Sequence, residues 1–334
     1  MENGTGTRES PSNNPQLEKK RIGNIELWLG DCMEMLASMP DGSADIVLTD
    51  PPYMYLKHRL DRPFDFETAY REMVRVLRKE RGAMVVFGRG PSFYQTNTVL
   101  ESLGMRFLEE VVWHKGRRSS PVTPLGRVHE TVSIWGMGSA KINRVRVPVT
   151  EKHLHSPERM AALVREMSKV LRNKGHLEAV RRYFETGEVE NHGSKARKPD
   201  SLALSTDMRN FDRRTAHARI IAEGGCEESI IRAGDPDFYN RLHPTQKPTE
   251  LLKRLLALVM PPDKEAAEVT VIDPFGGSFS TMAACIDIGT GGASCEILPD
   301  YFDKGARRIE AQARKGRQMA MSFPVNLGKE KEAV

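Results

Sequence analysis

Short apolar runs recur along the chain, each closed by turn-forming or polar residues, with stretches of helical spacing between them. Ile25-Glu-Leu-Trp-Leu29, Asp45-Ile-Val-Leu-Thr49, Ala83-Met-Val-Val-Phe87, Leu108 to Trp113 and Glu130 to Trp135 each predict a strand. Phe66 to Lys79 predicts a helix, because Ala69, Met73, Val76 and Leu77 keep helical spacing. The rhythm returns from about Leu242 to Ala313. Pro248 to Met260 predicts a helix opened by one proline and stopped by Pro261 and Pro262. Val269 to Ile272 predicts a buried strand, and Gly276 to Ile286 a glycine-rich turn entering a helix. Gly292 to Ile297 predicts another strand and Tyr301 to Arg314 a last helix. Strands alternating with helices predict an α/β fold on a parallel sheet, with ligands at the strand C-terminal ends.

The middle, roughly 141–235, has helical runs and few strand signals. Met160, Leu163, Val164, Met167 and Leu171 form one apolar stripe there, expected to be packing surface. Residues 1–20 are polar and are expected to form a disordered tail, and residues 322–334 are expected to be loose. The expected organisation is therefore a first half over 21–140, an insertion over 141–235 and a second half over 236–321, between two tails.

Composition narrows the class. With 334 residues, 39% hydrophobic and 28% charged, the chain reads as an ordinary globular protein. No window approaches 18 uninterrupted apolar residues, so no membrane span is expected. The polar N-terminus lacks the apolar stretch of a signal peptide. Four cysteines with no C-x-x-C pair suggest neither a disulfide framework nor a zinc site, and a reducing cytoplasm is the expected compartment. A net charge of +5 says little until it is located. Residues 141–220 hold 18 Lys or Arg and 10 Asp or Glu, a net of +8, which leaves the remainder at −3. A basic segment on a slightly acidic body points to a polyanionic partner.

Three sequences carry candidate chemistry. Asp50-Pro51-Pro52-Tyr53 ends the strand Asp45–Thr49. Two prolines make a stiff turn whose carbonyls are free to accept. A carboxylate and a carbonyl side by side accept both hydrogens of one amine, and Tyr53 offers a face for an unstacked base. An exocyclic base amine needs such help, because its lone pair is delocalised into the ring. The plain alternative is a Pro-Pro turn after a strand. Asp273-Pro-Phe-Gly-Gly-Ser-Phe-Ser-Thr281 leads from a strand into a helix; its glycines allow close backbone approach to a nucleotide-like ligand. Glu296 ends the next strand, where an acidic residue commonly binds ribose hydroxyls. The glycine spacing matches neither a dinucleotide fingerprint nor a P-loop. His243-Pro-Thr-Gln-Lys-Pro248 opens a helix, with Lys247 placed to pair with a carboxylate; a polar helix entry is the alternative.

Together and in this order, the three sequences resemble the amino-directed DNA methyltransferases of the β class, over about 190 residues. The resemblance implies a Rossmann-like sheet with circularly permuted motif order and an inserted, mostly helical target recognition region. It implies methyl transfer from S-adenosylmethionine to N6 of adenine in double-stranded DNA, with N4 of cytosine as the alternative. Asp at the first motif position favours adenine, since N4-cytosine enzymes more usually carry Ser. Asp50, Pro51, Pro52 and Tyr53 would be catalytic. Asp31, Thr245, Lys247, Asp273, Phe275, Gly277, Ser278 and Glu296 would bind the cofactor, with Thr245 and Lys247 near its methionine carboxylate. Asp31 reads equally well as a turn former. Lys57 and Arg59 follow the catalytic tetrapeptide, and Arg117 and Arg118 sit in a second basic loop. They would contact DNA phosphates, against the alternative of solvated loops. A cognate restriction enzyme is a partner of the kind the family has. Neither a metal nor a membrane is implied.

One position departs from the family pattern. Phe279 replaces the second glycine of Gly-Ser-Gly-Thr. Phenylalanine does not easily adopt a positive φ, so either the loop differs or Phe279 packs against the cofactor. That residue is the sole support for a non-enzymatic, DNA-binding reading. RNA or protein-amide methylation is a further rival, since related Pro-Pro-Tyr motifs serve those. Methylation of a cytosine ring carbon needs a Cys nucleophile, typically after proline. None of Cys32, Cys226, Cys285 and Cys295 follows one.

Overall fold

A computed structural model describes residues 18–53, 64–116, 125–147, 158, 160–162, 164–165, 174–186, 225–234 and 241–318. The strands are β1 (Glu18–Ile22), β2 (Ile25–Leu29), β3 (Ile46–Thr49), β4 (Ala83–Gly88), β5 (Arg106–His114), β6 (His129–Gly136), β7 (Arg146–Val147), β8 (Gly225–Cys226), β9 (Ile230–Arg232), β10 (Thr270–Asp273) and β11 (Gly291–Glu296). The helices are α1 (Cys32–Ala37), α2 (Phe66–Val76), α3 (Pro91–Ser102), α4 (Lys174–Thr186), α5 (Thr249–Val259), α6 (Ser280–Ile288) and α7 (Pro299–Gln318).

Nine strands form one sheet in the order β1-β2-β11-β10-β3-β4-β6-β5-β9. β2, β11, β10, β3 and β4 run parallel. β3 is central and buried along its whole length, as its unbroken apolar run requires. Its side chains alternate between two cores. Ile46 and Leu48 pack with Leu251, Leu255, Met282 and Phe302 of α5, α6 and α7. Val47 faces the other side, with Met35, Tyr70, Met73 and Leu100 of α1, α2 and α3. The result is a three-layer α/β/α arrangement of Rossmann type, as the resemblance implied.

The sheet is mixed rather than parallel throughout. β1 pairs antiparallel with β2 across a tight turn at Gly23, whose φ is 60°. The strand starts at Glu18, inside the stretch expected to be tail. Its own residues carry little apolar signal, and its partners hold it: Lys19 lies 3.5 Å from the centre of the Trp28 ring, and Lys20 pairs with Glu310 at 2.7 Å. β6 runs antiparallel between β4 and β5. β9 is a second departure. Ile230–Arg232 was expected within the helical insertion, yet it forms the edge strand beside β5. Ile231 is fully buried in the main core, and the Trp113 indole donates to the Ala233 carbonyl at 2.9 Å. Three residues are too few to show strand periodicity, so only packing reveals them.

β7 and β8 pair antiparallel, with Arg146 opposite Cys226 and Val147 opposite Gly225. Residues 146–147 and 225–226 thus lie side by side. Arg254 of α5 holds that point through two hydrogen bonds to Glu227, at 2.5 and 2.7 Å. Of the predicted stripe, Met160 and Val164 pack with Ala161 against Leu177, Val180 and Phe184, so it is packing surface there; Leu163, Met167 and Leu171 lie outside the described residues. Among the described residues, no helix is long and apolar enough to cross a membrane.

Candidate active site

The C-terminal ends of the parallel strands carry the predicted chemistry. From β3 the chain continues to β4 on one side, and from β10 to β11 on the other, so the crevice opens between β3 and β10. Asp50 follows β3 and Asp273 ends β10. The Thr49 hydroxyl bridges them, donating to Asp273 Oδ1 at 2.8 Å.

Asp50 is held from two sides. The Tyr53 hydroxyl donates to Oδ1 at 2.9 Å, across the Pro51-Pro52 turn. The Lys247 ammonium donates to Oδ2. Pro51 is buried, whereas Pro52 and Tyr53 are half-buried at the mouth. Burial raises the Asp50 carboxyl above the usual range; Lys247 opposes this and Glu130 adds to it.

Lys247 pairs with carboxylates, as its place in the sequence suggested: with Asp50, and at 3.3 Å with Glu130 Oε2. Its ammonium also lies 4.8 Å from the centre of the Phe87 ring. Burial would lower its pKa, yet the two carboxylates raise it. Glu130, which the sequence reading did not single out, in turn accepts from Lys115 through Oε1. Burial would raise Glu130, but the two lysines hold it below the usual range. The missed signal lies in the antiparallel run of β6. Its first residues meet the last of β5, with Trp113 opposite Glu130, so Lys115 and Glu130 share the sheet edge that carries Asp50.

The second group surrounds the Asp273–Thr281 loop. Asp273 is buried and its carboxyl is pushed up to about 6, although Thr49, Thr281 and the Phe275 N–H all donate to it. Phe275 is half-buried and packs 5.2 Å from Phe64, centre to centre. Gly277 turns with a φ of 53° close to the His243 ring. His243 packs edge-on against Tyr301 at 4.4 Å and accepts the Thr245 N–H on Nδ1 at 3.3 Å, so the two loops converge. Thr245 itself is exposed. The Ser278 hydroxyl lies 3.1 Å from that of Ser280. Arg308 of α7, another residue missed in the sequence, pins the loop. It donates to the Ser278 carbonyl at 3.1 Å, to Ser280 Oγ at 2.9 Å and to Thr249 Oγ1 at 3.0 Å.

Glu296 stands one strand further out, at the end of β11. Burial pushes its carboxyl up to about 7, while backbone N–H groups of Leu298, Gly277 and Ile297 hold it down. Its carbonyl accepts from Gly30 at 3.1 Å, which brings the end of β2 alongside. Asp31 there is exposed and caps α1, accepting from the Met33 N–H at 2.8 Å. Its turn-forming reading is thus realised. Lys57, Arg59, Arg117 and Arg118 lie outside the described residues.

Phe279 corrects an expectation. It does adopt a positive φ, with φ 56° and ψ 37°, and stays fully buried. Its ring packs edge-on against Phe302 at 5.8 Å. It fills the space beside Gly276 and Gly305, where an added Cβ would come within 2.6 Å of it. The loop therefore keeps the left-handed turn that a glycine would make, and the ring anchors it to α7.

The family model described as DNA methylase matches residues 44–307, most of the chain and all of this site except its β2 edge and Arg308. The chain belongs to the DNA methylase family. This DNA methylase is 24% identical over 308 residues to the type II methyltransferase M.HinfI of Haemophilus influenzae, covering 84% of the chain and 67% of that protein. It is 41% identical over 132 residues to the DNA adenine methyltransferase YhdJ of Escherichia coli K12, which is 33% of the chain and 43% of YhdJ. Among solved structures, the M1.HpyAVI–SAM complex aligns with a TM-score of 0.49 at 16% identity, over 85% of this DNA methylase and 99% of that chain. The PvuII DNA methyltransferase (cytosine-N4-specific) aligns with a TM-score of 0.48 at 14% identity, over 89% and 93%. As in its family, the methyl donor is S-adenosylmethionine.

Proposed function

We propose that this DNA methylase modifies the exocyclic N6 of an adenine flipped out of double-stranded DNA, at a defined sequence. The supporting observation is the half-buried Asp50 carboxylate at the switch point, with the Tyr53 hydroxyl 2.9 Å away. Asp50 and the Pro51 carbonyl accept the two N6 hydrogens, Pro52 stiffens the turn, and the Tyr53 ring stacks on the base. When bound, S-adenosylmethionine supplies an electrophilic methyl whose bond to sulfur breaks as the bond to nitrogen forms. Positive charge builds on the nitrogen during attack. Asp50 stabilises that charge and takes up the proton the nitrogen then releases. The basic segment within 141–235 reads the target, and the working compartment is the cytoplasm. A cognate restriction enzyme is the proposed partner, in line with the type II designation of M.HinfI.

The residues beyond Asp50 suit the donor. Glu296 offers a carboxylate to ribose hydroxyls, and exposed Ile297 offers an apolar contact beside it. Asp273, Phe275, Gly277 and Ser278 line the loop next to it, and Asp31 and Thr245 flank it. Lys247 is part of the Asp50 cluster in this scheme.

The test is to incubate the protein with unmethylated DNA and labelled donor, then to analyse the nucleosides by mass spectrometry. Labelled N6-methyladenine is the expected product. N4-methylcytosine would transfer the same mechanism to cytosine, and unlabelled DNA with folded protein would refute both.

Donor binding should also depend on pH. With the Glu296 carboxyl near 7, the ligand-free site is about half protonated at neutral pH. Ribose hydroxyls bind the charged form, so affinity for S-adenosylmethionine should fall below pH 7, approaching about tenfold per unit. Titration calorimetry between pH 5.5 and 8 measures it. Glu296→Gln should bind weakly with a flatter profile; a flat profile in the unmodified protein would contradict the assignment.

A further inference from the structure

Asp50, Lys247, Glu130 and Lys115 form one chain of alternating charge, with Lys247 buried and the other three half-buried, from the end of β3 to the end of β5. Two carboxylates and two ammonium groups balance overall, but the balance is local. Lys247 grips the carboxylate that the reaction needs, and it lies beside the place where the target nitrogen becomes cationic. A lone ammonium there would oppose the reaction twice, repelling the developing charge and weakening Asp50 as an acceptor.

Glu130 answers both effects. Its Oε2 lies 3.3 Å from the Lys247 ammonium, and Lys115 fixes its other oxygen. The Glu130 side chain is only 13% exposed and that of Lys247 only 8%, so water screens the pair little. Phe87 closes the remaining side of Lys247 with an apolar ring. A pair serving stability alone has no need to touch the catalytic carboxylate through its shared lysine.

We infer that Glu130 is a positioning residue for methyl transfer: anchored by Lys115, it holds Lys247 and offsets its charge, so that Asp50 stays basic and positive charge can build on the target nitrogen. The inference rests on the catalytic role proposed for Asp50. Among the described residues, the groups that face Asp50 are the Tyr53 and Tyr70 phenols, Lys247, Glu130 and Asp273. Lys115 and Lys247 face Glu130.

The test is steady-state kinetics on the full chain from pH 5.5 to 9, with Glu130→Gln, Lys115→Gln and Asp50→Ala compared by thermal melting. Glu130→Gln should lower kcat roughly ten- to a hundredfold, with both KM values within about threefold. Removing its negative charge lowers the Asp50 pKa, so the acid limb of kcat moves to lower pH. Lys115→Gln removes a positive charge, raises the Asp50 pKa and moves the same limb to higher pH. Shifts of opposite sign support the inference, because a merely structural pair would move neither limb. If Glu130→Gln fails to fold, the upward shift in Lys115→Gln decides. Unmoved limbs, or limbs moved in the same direction, with Asp50→Ala inactive, overturn this inference alone. An active Asp50→Ala overturns the catalytic reading and this inference with it.

Discussion

Replacing Asp50 by Asn is expected to lower kcat by roughly a thousandfold or more while leaving the protein folded. The substitution keeps the shape and one acceptor oxygen but removes the charge. The nitrogen being methylated becomes cationic beside this group, so the lost interaction is strongest in the transition state. The Lys247 ammonium then loses its main anion close to the developing charge. The released proton also loses its acceptor. Ground-state contacts change little, because the Tyr53 hydroxyl and the Pro51 turn remain. The loss should therefore fall on kcat, with the KM values for DNA and donor little altered. Single-turnover methylation of DNA, followed by nucleoside mass spectrometry, measures it. A variant within about tenfold of the unmodified rate would remove Asp50 from the chemistry.

Phe279→Gly should destabilise the fold by about 3 kcal/mol, despite relieving an unfavourable backbone conformation. The left-handed turn costs a non-glycine residue roughly 1–2 kcal/mol, which glycine would recover. Against that, the fully buried ring fills the gap between Gly276, Gly305 and Phe302. Removing such a ring costs about 3–5 kcal/mol through lost burial and the cavity left behind, and glycine also adds chain entropy to the unfolded state. Cavity loss should win. Gly305 supplies a sharper measurement. In the unmodified protein, Gly305→Ala places a methyl 2.6 Å from the Phe279 ring and should destabilise. In the Phe279→Gly background the same methyl enters empty space, on a helix where alanine outranks glycine, and should stabilise. Urea denaturation of all four proteins gives the coupling. Additivity within about 0.5 kcal/mol would mean that the ring and Gly305 are not one packing unit.

Phe279 also shows where local reading stops. Alone, a phenylalanine at a glycine position argues for a different turn. The structure keeps the turn, because burial against α7 outweighs the backbone cost. Gly305, which makes room for the ring, lies 26 residues away in the chain. Lys247 is a similar case. Its motif suggested pairing with a carboxylate, and the partner, Asp50, is 197 residues away. In the sequence Glu130 is the first residue of a predicted strand, with no role of its own. Its chemical position follows from β6 running antiparallel to β4, which brings the start of β6 to the edge where the parallel strands end. The strand at Ile230–Arg232 was missed because three residues carry no period, and the strand at Glu18–Ile22 because its partners supply the apolar contact.

The sequence by itself determined the α/β class, most strands and helices of the two halves, and the order of the three motifs. Those features rest on short-range physics: period-two and helical spacing, proline and glycine stereochemistry, and the acid at a strand end. It thereby placed Asp50, Asp273 and Glu296 at one edge of a sheet. Tertiary structure alone decided which strands reverse, that β9 joins the sheet, and that Asp50, Lys247, Glu130 and Lys115 meet. Strand direction and long-range ion pairs depend on groups far apart in the chain, and no local pattern records the distance that folding closes between them.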